Sequence, residues 1–291
     1  MEKHPLAEVF GFPADNVGAE ASRYRKSKLC PFNNRVPNCT KDKAENPLGV
    51  CSVFDTMDVA ITCPIRFRQN WIIADDAAGF FFPDGTTWTS VTEVRLNDKN
   101  GRSAGNIDMV MVAYDDRGRI TDFGALEVQS VYISGNIRRA FEFYMEDPTS
   151  RSHMDWSGKT NYPRPDYLSS SRKRLAPQLL YKGGILNTWK RKSAVALNKG
   201  FFDTLPELKQ VSADKADMAW LIYDLEFDRQ NNRRNLKLCS IVYTGFQSAL
   251  SQITKAEAGL EADFIETLQV KLDEKLDVGE APDNVTLNEV M

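Results

Sequence analysis

Histidine is almost missing from this chain: His4 and His153 are the only two in 291 residues. His4 lies near the N-terminus and His153 in a turn-rich segment, so a Ser/His or Cys/His nucleophile system has little to work with. No P-loop, Rossmann glycine fingerprint, HExxH or GxSxG occurs, which removes the commonest nucleotide, zinc-protease and esterase readings. No apolar run approaches the ~18 residues of a membrane span. The opening MEKHPLAEVFGF has no apolar signal-peptide core, so a cytoplasmic protein is expected. There is no internal repeat and no low-complexity tract. Charge of one sign is not in excess either: 37 Lys and Arg stand against 40 Asp and Glu, a net charge of −3. That balance argues against nucleic-acid binding over the whole surface and leaves room for a local basic groove.

Cysteine is sparse but unevenly placed. Cys30, Cys39, Cys51 and Cys63 fall in the first quarter of the chain, and Cys239 stands alone in the apolar run 236–243, where a core thiol is expected. In a cytoplasmic protein such a cluster is more often a metal site than a disulfide framework. The C-x8-C-x11-C-x11-C spacing lacks C-x2-C knuckles, and with so little histidine a site here would be all-thiolate, suiting iron or zinc. The surroundings are rich in Asn, Pro and Gly and poor in apolar periodicity, as in a small module that a metal holds together. The alternative is a set of scattered reduced thiols. The expected organisation is an N-terminal segment with the four-cysteine module over 1–70 and a larger α/β core over 71–291.

The stretch from Gly105 to Tyr132 organises that core. It reads as two apolar strands, 107–114 and 120–132, joined by a tight turn at Asp115-Asp116-Arg117-Gly118. Runs such as Met109-Val110-Met111-Val112-Ala113 suit a central strand covered on both faces. Charge interrupts them at Asp108, and Glu127 and Gln129 sit late in the second strand, two residues apart and so on one face. A hairpin centred near Arg117 sets Asp108 opposite residue 125 or 126, beside Glu127. Two carboxylates and an amide then converge at one end of an apolar sheet. Desolvated carboxylates need a compensating cation, and Mg²⁺ fits, bound by one or two carboxylates plus phosphate oxygens. The alternative is a hairpin with ordinary edge charges. The pattern, with eighteen residues between Asp108 and Glu127, resembles the PD-(D/E)xK nuclease core, a central mixed sheet flanked by helices, with Gln129 where lysine is usual.

Around this hairpin, 1–22 reads as helical or irregular with His4 at the surface. The segment 86–96, bearing Glu93, reads as a helix leading into the sheet, and 137–145 as another helix. A short apolar strand is expected at 194–197, a second hairpin at 218–227 and 236–244, then helical periodicity over 245–270 and an acidic tail. Over 159–199 the charge balance changes. Lys159, Arg164, Arg172, Lys173, Arg174, Lys182, Lys190, Arg191, Lys192 and Lys199 face a single acid, Asp166, with Tyr162, Tyr167, Tyr181 and Trp189 interleaved. Such a stretch suits phosphate-backbone binding; the alternative is a solvated face balanced by acids elsewhere.

Taken together, Cys30/Cys39/Cys51/Cys63, then Glu93 fifteen residues before Asp108, then Glu127-Val128-Gln129 make the chain resemble the NotI-type restriction endonucleases, from the cysteines through 172–189. The chain resembles a compact member, with the EagI-type enzymes, which cut a shorter GC-rich palindrome, expected among its close relatives. The resemblance implies a type II restriction enzyme of a restriction–modification system, a homodimer that cuts both strands of double-stranded DNA at a GC-rich palindrome, with a GGCC-containing site expected, while a cognate methyltransferase acts on the same site. It implies that Asp108 and Glu127 bind Mg²⁺, that Gln129 takes the place of lysine beside the attacking water, and that Glu93 assists. It also implies a structural metal, iron or zinc, on the four cysteines. Gln129 cannot supply positive charge to the developing phosphorane, so more of that stabilisation falls to the metal or to a nearby Arg. DNA contacts are expected from Arg172, Lys173, Arg174, Lys182, Lys190, Arg191 and Lys192. Two rivals remain open on sequence grounds: a structure-specific repair nuclease, and a metal-held nucleic-acid-binding protein without catalysis.

Overall fold

The structure, a computed structural model, describes residues 3–43, 45–56 and 58–277. Its strands in chain order are β1 (Leu6–Val9), β2 (Phe12–Pro13), β3 (Val50–Phe54), β4 (Val59–Ile61), β5 (Trp88–Asn97), β6 (Ser103–Tyr114), β7 (Ile120–Gln129), β8 (Tyr132–Ser134), β9 (Arg164–Asp166), β10 (Ser193–Asn198), β11 (Met218–Asp228) and β12 (Arg233–Thr244). Six of them form the main sheet in the order β12-β11-β10-β7-β6-β5. The β5/β6, β6/β7 and β11/β12 pairs are antiparallel, whereas β10 runs parallel to both β7 and β11. The sheet is therefore mixed, and helices cover it as an α/β core requires.

β10 shows why this sheet lies at the centre. Every residue of SAVALN is buried, with Val195 and Leu197 in one apolar cluster and Ala194 and Ala196 in the other. The period-two alternation thus feeds two cores at once, and burying a side chain the size of Val or Leu contributes about 1.5–3 kcal/mol. On one face lies the helix Ile72–Phe81, whose Ala74, Ala77 and Ala78 let its backbone approach the strands. Gly124 of β7 sits beneath the Phe81 ring, where a Cβ would come within 2.4 Å of ring carbon. The helix stops at Phe82, which is extended ahead of Pro83. The opposite face is covered by the helix Ile137–Glu146, the helical segment 167–188 and the helix Phe246–Thr254.

The cysteine-bearing part contributes a second, antiparallel sheet in the order β2-β1-β3-β4. Glu8 of β1 and Arg66 form an ion pair there with both side chains fully buried, 3.0 Å between Nε and Oε2. The Ser52 hydroxyl also donates to Glu8, while Arg66 donates to the Arg234 carbonyl on β12. Met1–Thr254 is one compact unit and Lys255–Met291 a second. Within the second unit the described helix is Glu261–Asp277; the acidic tail beyond 277 lies outside the described residues. Among the described residues no helix is long and apolar enough to cross a membrane.

Several sequence-based expectations are corrected. Segment 86–96 is not a helix: it is most of β5, an edge strand whose two largely exposed faces erase the period-two signal. Residues 1–22 contain β1 and β2, and His4 is 7% exposed rather than superficial. Cys239 is exposed, because β12 is the other edge of the main sheet. The helical stretch after Gly245 is two helices, not one.

Candidate active site

The site lies where β6 and β7 part company. Their ladder runs from Tyr114 opposite Ile120 to Met109 opposite Leu126, and its register shifts by one residue next to the turn. That shift carries Asp108 level with Glu127, one residue beyond the expected 125 or 126. At this level the ladder ends, and the Asp108 carboxylate accepts the Val128 backbone N–H at 2.8 Å. β6 continues alongside β5, and β7 continues alongside β10 as far as Gln129. The two acidic side chains therefore sit at an opening in the sheet between strands that are otherwise paired.

Glu127 is 8% exposed and Gln129 is fully buried. Being two apart they share a face, the same as Val195 and Leu197 of the adjacent β10. Opposite them runs the helical segment 167–188, which includes π-helical turns at Ser171–Leu175 and Leu179–Gly183. Gln178 and Lys182 are four residues apart and so on one side of that segment. Gln178 accepts from the Gln129 amide, and the Lys182 ammonium donates to Glu127 Oε2 at 2.6 Å and to the Asn106 carbonyl of β6 at 2.8 Å. Lys182 thereby bridges the opening between the two strands. Its stem passes Gly105, which has a φ of +111° and leaves 3.7 Å between a notional Cβ and the lysine Cδ.

Two acceptor atoms are left over. Glu127 Oε1 and Gln129 Oε1 are buried and have no donor among the described residues. Burial pushes the Glu127 carboxyl up to about 8, the Asp108 charge adds to that rise, and Lys182 opposes it. Two carboxylates held this close are an unfavourable arrangement until a further cation shares them. Hard oxygen donors with an uncommitted oxygen suit Mg²⁺, which typically takes one or two protein carboxylates and completes its shell with water and phosphate.

Glu93 lies on β5, not on a helix. The ladder pairs Thr92 with Met109 and Val94 with Ile107, leaving Glu93 level with Asp108, exposed and at a φ of +58°. Left-handed backbone at a non-glycine residue inside a strand is strained, and such strain collects at functional sites.

The four cysteines occupy one neighbourhood. Cys30 and Cys39 flank the isolated bridge between Leu29 and Asn38, while Cys51 and Cys63 stand beside the β3/β4 pairing, Cys51 on β3 and Cys63 just past β4. All are free thiols; Cys39, Cys51 and Cys63 are buried. Burial pushes the Cys30 thiol up to about 11 and raises those of Cys39 and Cys51, with neighbouring cysteines adding to each rise. Even so, among the described residues no three His, Cys, Asp or Glu side chains are grouped to hold a metal ion. The donor chemistry suits a soft cation; a formed ligand set is not present.

The basic stretch divides. Arg172, Lys173 and Lys190 are exposed. Arg174 donates to the Ser130 hydroxyl at 3.0 Å, just past Gln129. Arg191 is paired with Asp122, and Lys192 donates to the Phe80 carbonyl at 2.9 Å with its ammonium over the Phe80 ring. Lys182, grouped with the surface cations by sequence, is 5% exposed and belongs to the carboxylate site. Its involvement needed a contact across more than fifty residues; the flanking Gly183-Gly184 was the one local sign of close packing.

Two clefts of about 590 and 610 Å³ lie elsewhere on the first unit, and neither holds a pair of carboxylates. No curated protein matches the chain. Residues 15–238 match the family model described as restriction endonuclease NotI, a span that takes in the cysteines, Asp108, Glu127, Gln129 and the helical segment facing them. The chain belongs to that family, and is accordingly a sequence-specific restriction endonuclease, a hydrolase of double-stranded DNA.

Proposed function

We propose that this enzyme cuts a GC-rich palindrome, one containing GGCC, by Mg²⁺-dependent hydrolysis that leaves 5′-phosphate and 3′-hydroxyl ends, with Asp108 and Glu127 as the carboxylates that hold the cation. The observation that carries this reading is the pair Asp108 and Glu127 at the β6/β7 opening, with Glu127 Oε1 buried and lacking a donor.

When bound, a divalent cation supplies charge neutralisation at the phosphoryl oxygens and a water of lowered pKa. The chain's own groups do the rest. The Val128 N–H fixes the Asp108 carboxylate, and Lys182 fixes Glu127 through one oxygen, leaving the other for binding. The Gln129 amide is anchored on Gln178, so its carbonyl oxygen is held ready to accept a hydrogen bond from the attacking water and orient it. The P–O bond to water forms as the bond to O3′ breaks; the water's proton leaves to solvent, and the departing O3′ takes up a proton from solvent to become the 3′-hydroxyl. Glu93, level with Asp108 on β5, assists from the open side.

The reading extends to a homodimer, since two-fold symmetry presents the same face to each half of a palindrome. It extends also to iron or zinc held by Cys30, Cys39, Cys51 and Cys63 as a structural centre. Incubation with a GC-rich plasmid of known sequence, in Mg²⁺ and in EDTA, tests the central claim. Discrete Mg²⁺-dependent fragments whose mapped ends share one palindrome are expected. Smearing, or cutting that persists in EDTA, would refute it.

A further inference from the structure

Negative charge accumulates at this site faster than the strand residues can balance it. Asp108 and a DNA phosphate each bring a charge, Glu127 brings another once a cation holds it ionised, and Gln129 brings none. Chain-borne positive charge at the centre comes from Lys182, whose ammonium touches Glu127 and bridges to the Asn106 carbonyl. A lysine this deeply buried is costly to desolvate, and a buried ion pair can commonly be replaced by apolar side chains at no loss of stability. Packing alone is thus a poor reason for its presence. The helical turn that carries it is held close to its neighbour: at Gly183, the next residue, a Cβ would press to 2.6 Å from the Phe246 ring. A π-helical turn, a distortion frequent at functional sites, carries it.

We propose that Lys182 is the ammonium of this active site: delivered by the helical segment rather than by β7, it positions Glu127 through Oε2 and supplies the positive charge that Gln129 cannot. It is not a DNA-backbone contact. The inference rests on the reading of Asp108 and Glu127 as the catalytic carboxylates.

The experiment compares the full-length protein with Lys182→Met, with Lys182→Met/Gln129→Lys, which moves the ammonium onto the strand, and with Asp108→Asn. Lys182→Met is expected to lower kcat by about 10²–10³-fold while KM shifts by less than about threefold. Duplex affinity in EDTA, and its dependence on salt, should match wild type. Moving the lysine to position 129 should restore at least about tenfold of the lost rate, a rescue that a purely structural ion pair would not give. Cutting by Lys182→Met within about threefold of wild type would overturn the proposal. So would a salt slope reduced by about one, the sign of a lost phosphate contact. If Lys182→Met does not fold, the relocated variant decides alone: folded but inactive, it overturns the proposal; folded and cutting, it supports it. Cutting by Asp108→Asn would instead remove the carboxylate reading itself, whatever Lys182 does.

Discussion

The Asp108 carboxylate accepts the Val128 amide hydrogen at 2.8 Å, in the place where the β6/β7 ladder would otherwise have continued. One side chain thus ends a strand pairing and fixes the geometry of a site. Asp108→Asn keeps an oxygen that can accept the same hydrogen bond, so the sheet should survive with the charge gone. Asp108→Asn, Glu127→Ala and Gln129→Ala are each expected to lower cleavage by at least about 10³-fold while circular dichroism and duplex binding in EDTA stay near wild type. A plasmid-nicking time course with Mg²⁺ makes the measurement, and wild-type turnover by the Asp108 and Glu127 variants would remove the assignment.

Glu93 faces that same level of β6 from the other side and holds a left-handed backbone, φ +58°. Glu93→Gly relieves the strain but adds chain entropy to the unfolded state, effects of about 1 kcal/mol that oppose one another. Its melting temperature should therefore stay near wild type. Its cleavage rate should fall about tenfold or more if the carboxylate assists. Unchanged cleavage would leave the strained residue without a role in the reaction.

These residues also show how far sequence reaches. The β6/β7 hairpin is legible because Met109 to Ala113 and Ala125-Leu126 are apolar between a tight polar turn and two acids, Asp108 and Glu127. The register is less so, since the one-residue shift near Tyr114 that brings Asp108 level with Glu127 leaves no mark in composition. β5 is misread because Trp88, Val91 and Val94 recur every third residue, as on a helix, while its Thr and Val side chains in fact fit an exposed strand. Lys182 and His4 are misplaced for one reason: a polar residue's burial is decided by partners far away in sequence, as with Lys182 and Glu127, or His4 and Tyr144.

His4 gives the fold a pH dependence. Burial lowers its pKa from 6.5 to about 4, and its Nδ1 accepts the Leu6 amide hydrogen. The unfolded chain binds a proton there below pH 6.5 and the folded one does not until about 4, so stability rises with pH across that window. The contribution is complete above pH 6.5 and is lost as pH falls toward 4; it amounts to about 3 kcal/mol. Urea denaturation at pH 4.5 and 7.5 should show a smaller difference for His4→Phe than for wild type. Equal differences in the two proteins would mean that His4 titrates normally.

The Glu8–Arg66 pair joins β1 to the segment ahead of the helix Ile72–Phe81, and through the Arg234 carbonyl to β12. Removing one partner leaves a buried charge alone. Arg66→Met or Glu8→Leu should each destabilise the protein by about 3–5 kcal/mol, and the double variant should recover much of that loss. Denaturant melts of the three variants measure it; additive losses would mean that the two charges do not interact.

Metal on the cysteines has its own test, independent of cleavage. Elemental analysis of purified protein should find about one iron or zinc per chain, since four thiolates satisfy one tetrahedral ion. A reddish absorbance that bleaches on reduction would identify ferric iron. Cys51→Ser should lower both metal content and melting temperature, because its thiol is buried among the other three. Metal-free protein with unchanged melting in Cys51→Ser would leave four ordinary reduced thiols.

The basic stretch separates into cations free to meet DNA and cations already engaged by the protein. Arg172, Lys173 and Lys190 are exposed, whereas Arg191 and Lys192 are tied to Asp122 and to the Phe80 carbonyl. A phosphate contact reveals itself in the salt dependence of binding, because neutralising a phosphate releases counterions. Arg172→Ala and Lys173→Ala should each weaken binding to any duplex and lower the salt slope by about one. Lys192→Ala should leave the slope unchanged and instead lower the melting temperature, since Lys192 anchors β10 to the helix Ile72–Phe81 across the Phe80 ring. Fluorescence anisotropy in EDTA over a range of salt separates the two groups; equal slopes throughout would place the DNA-binding surface elsewhere on the protein.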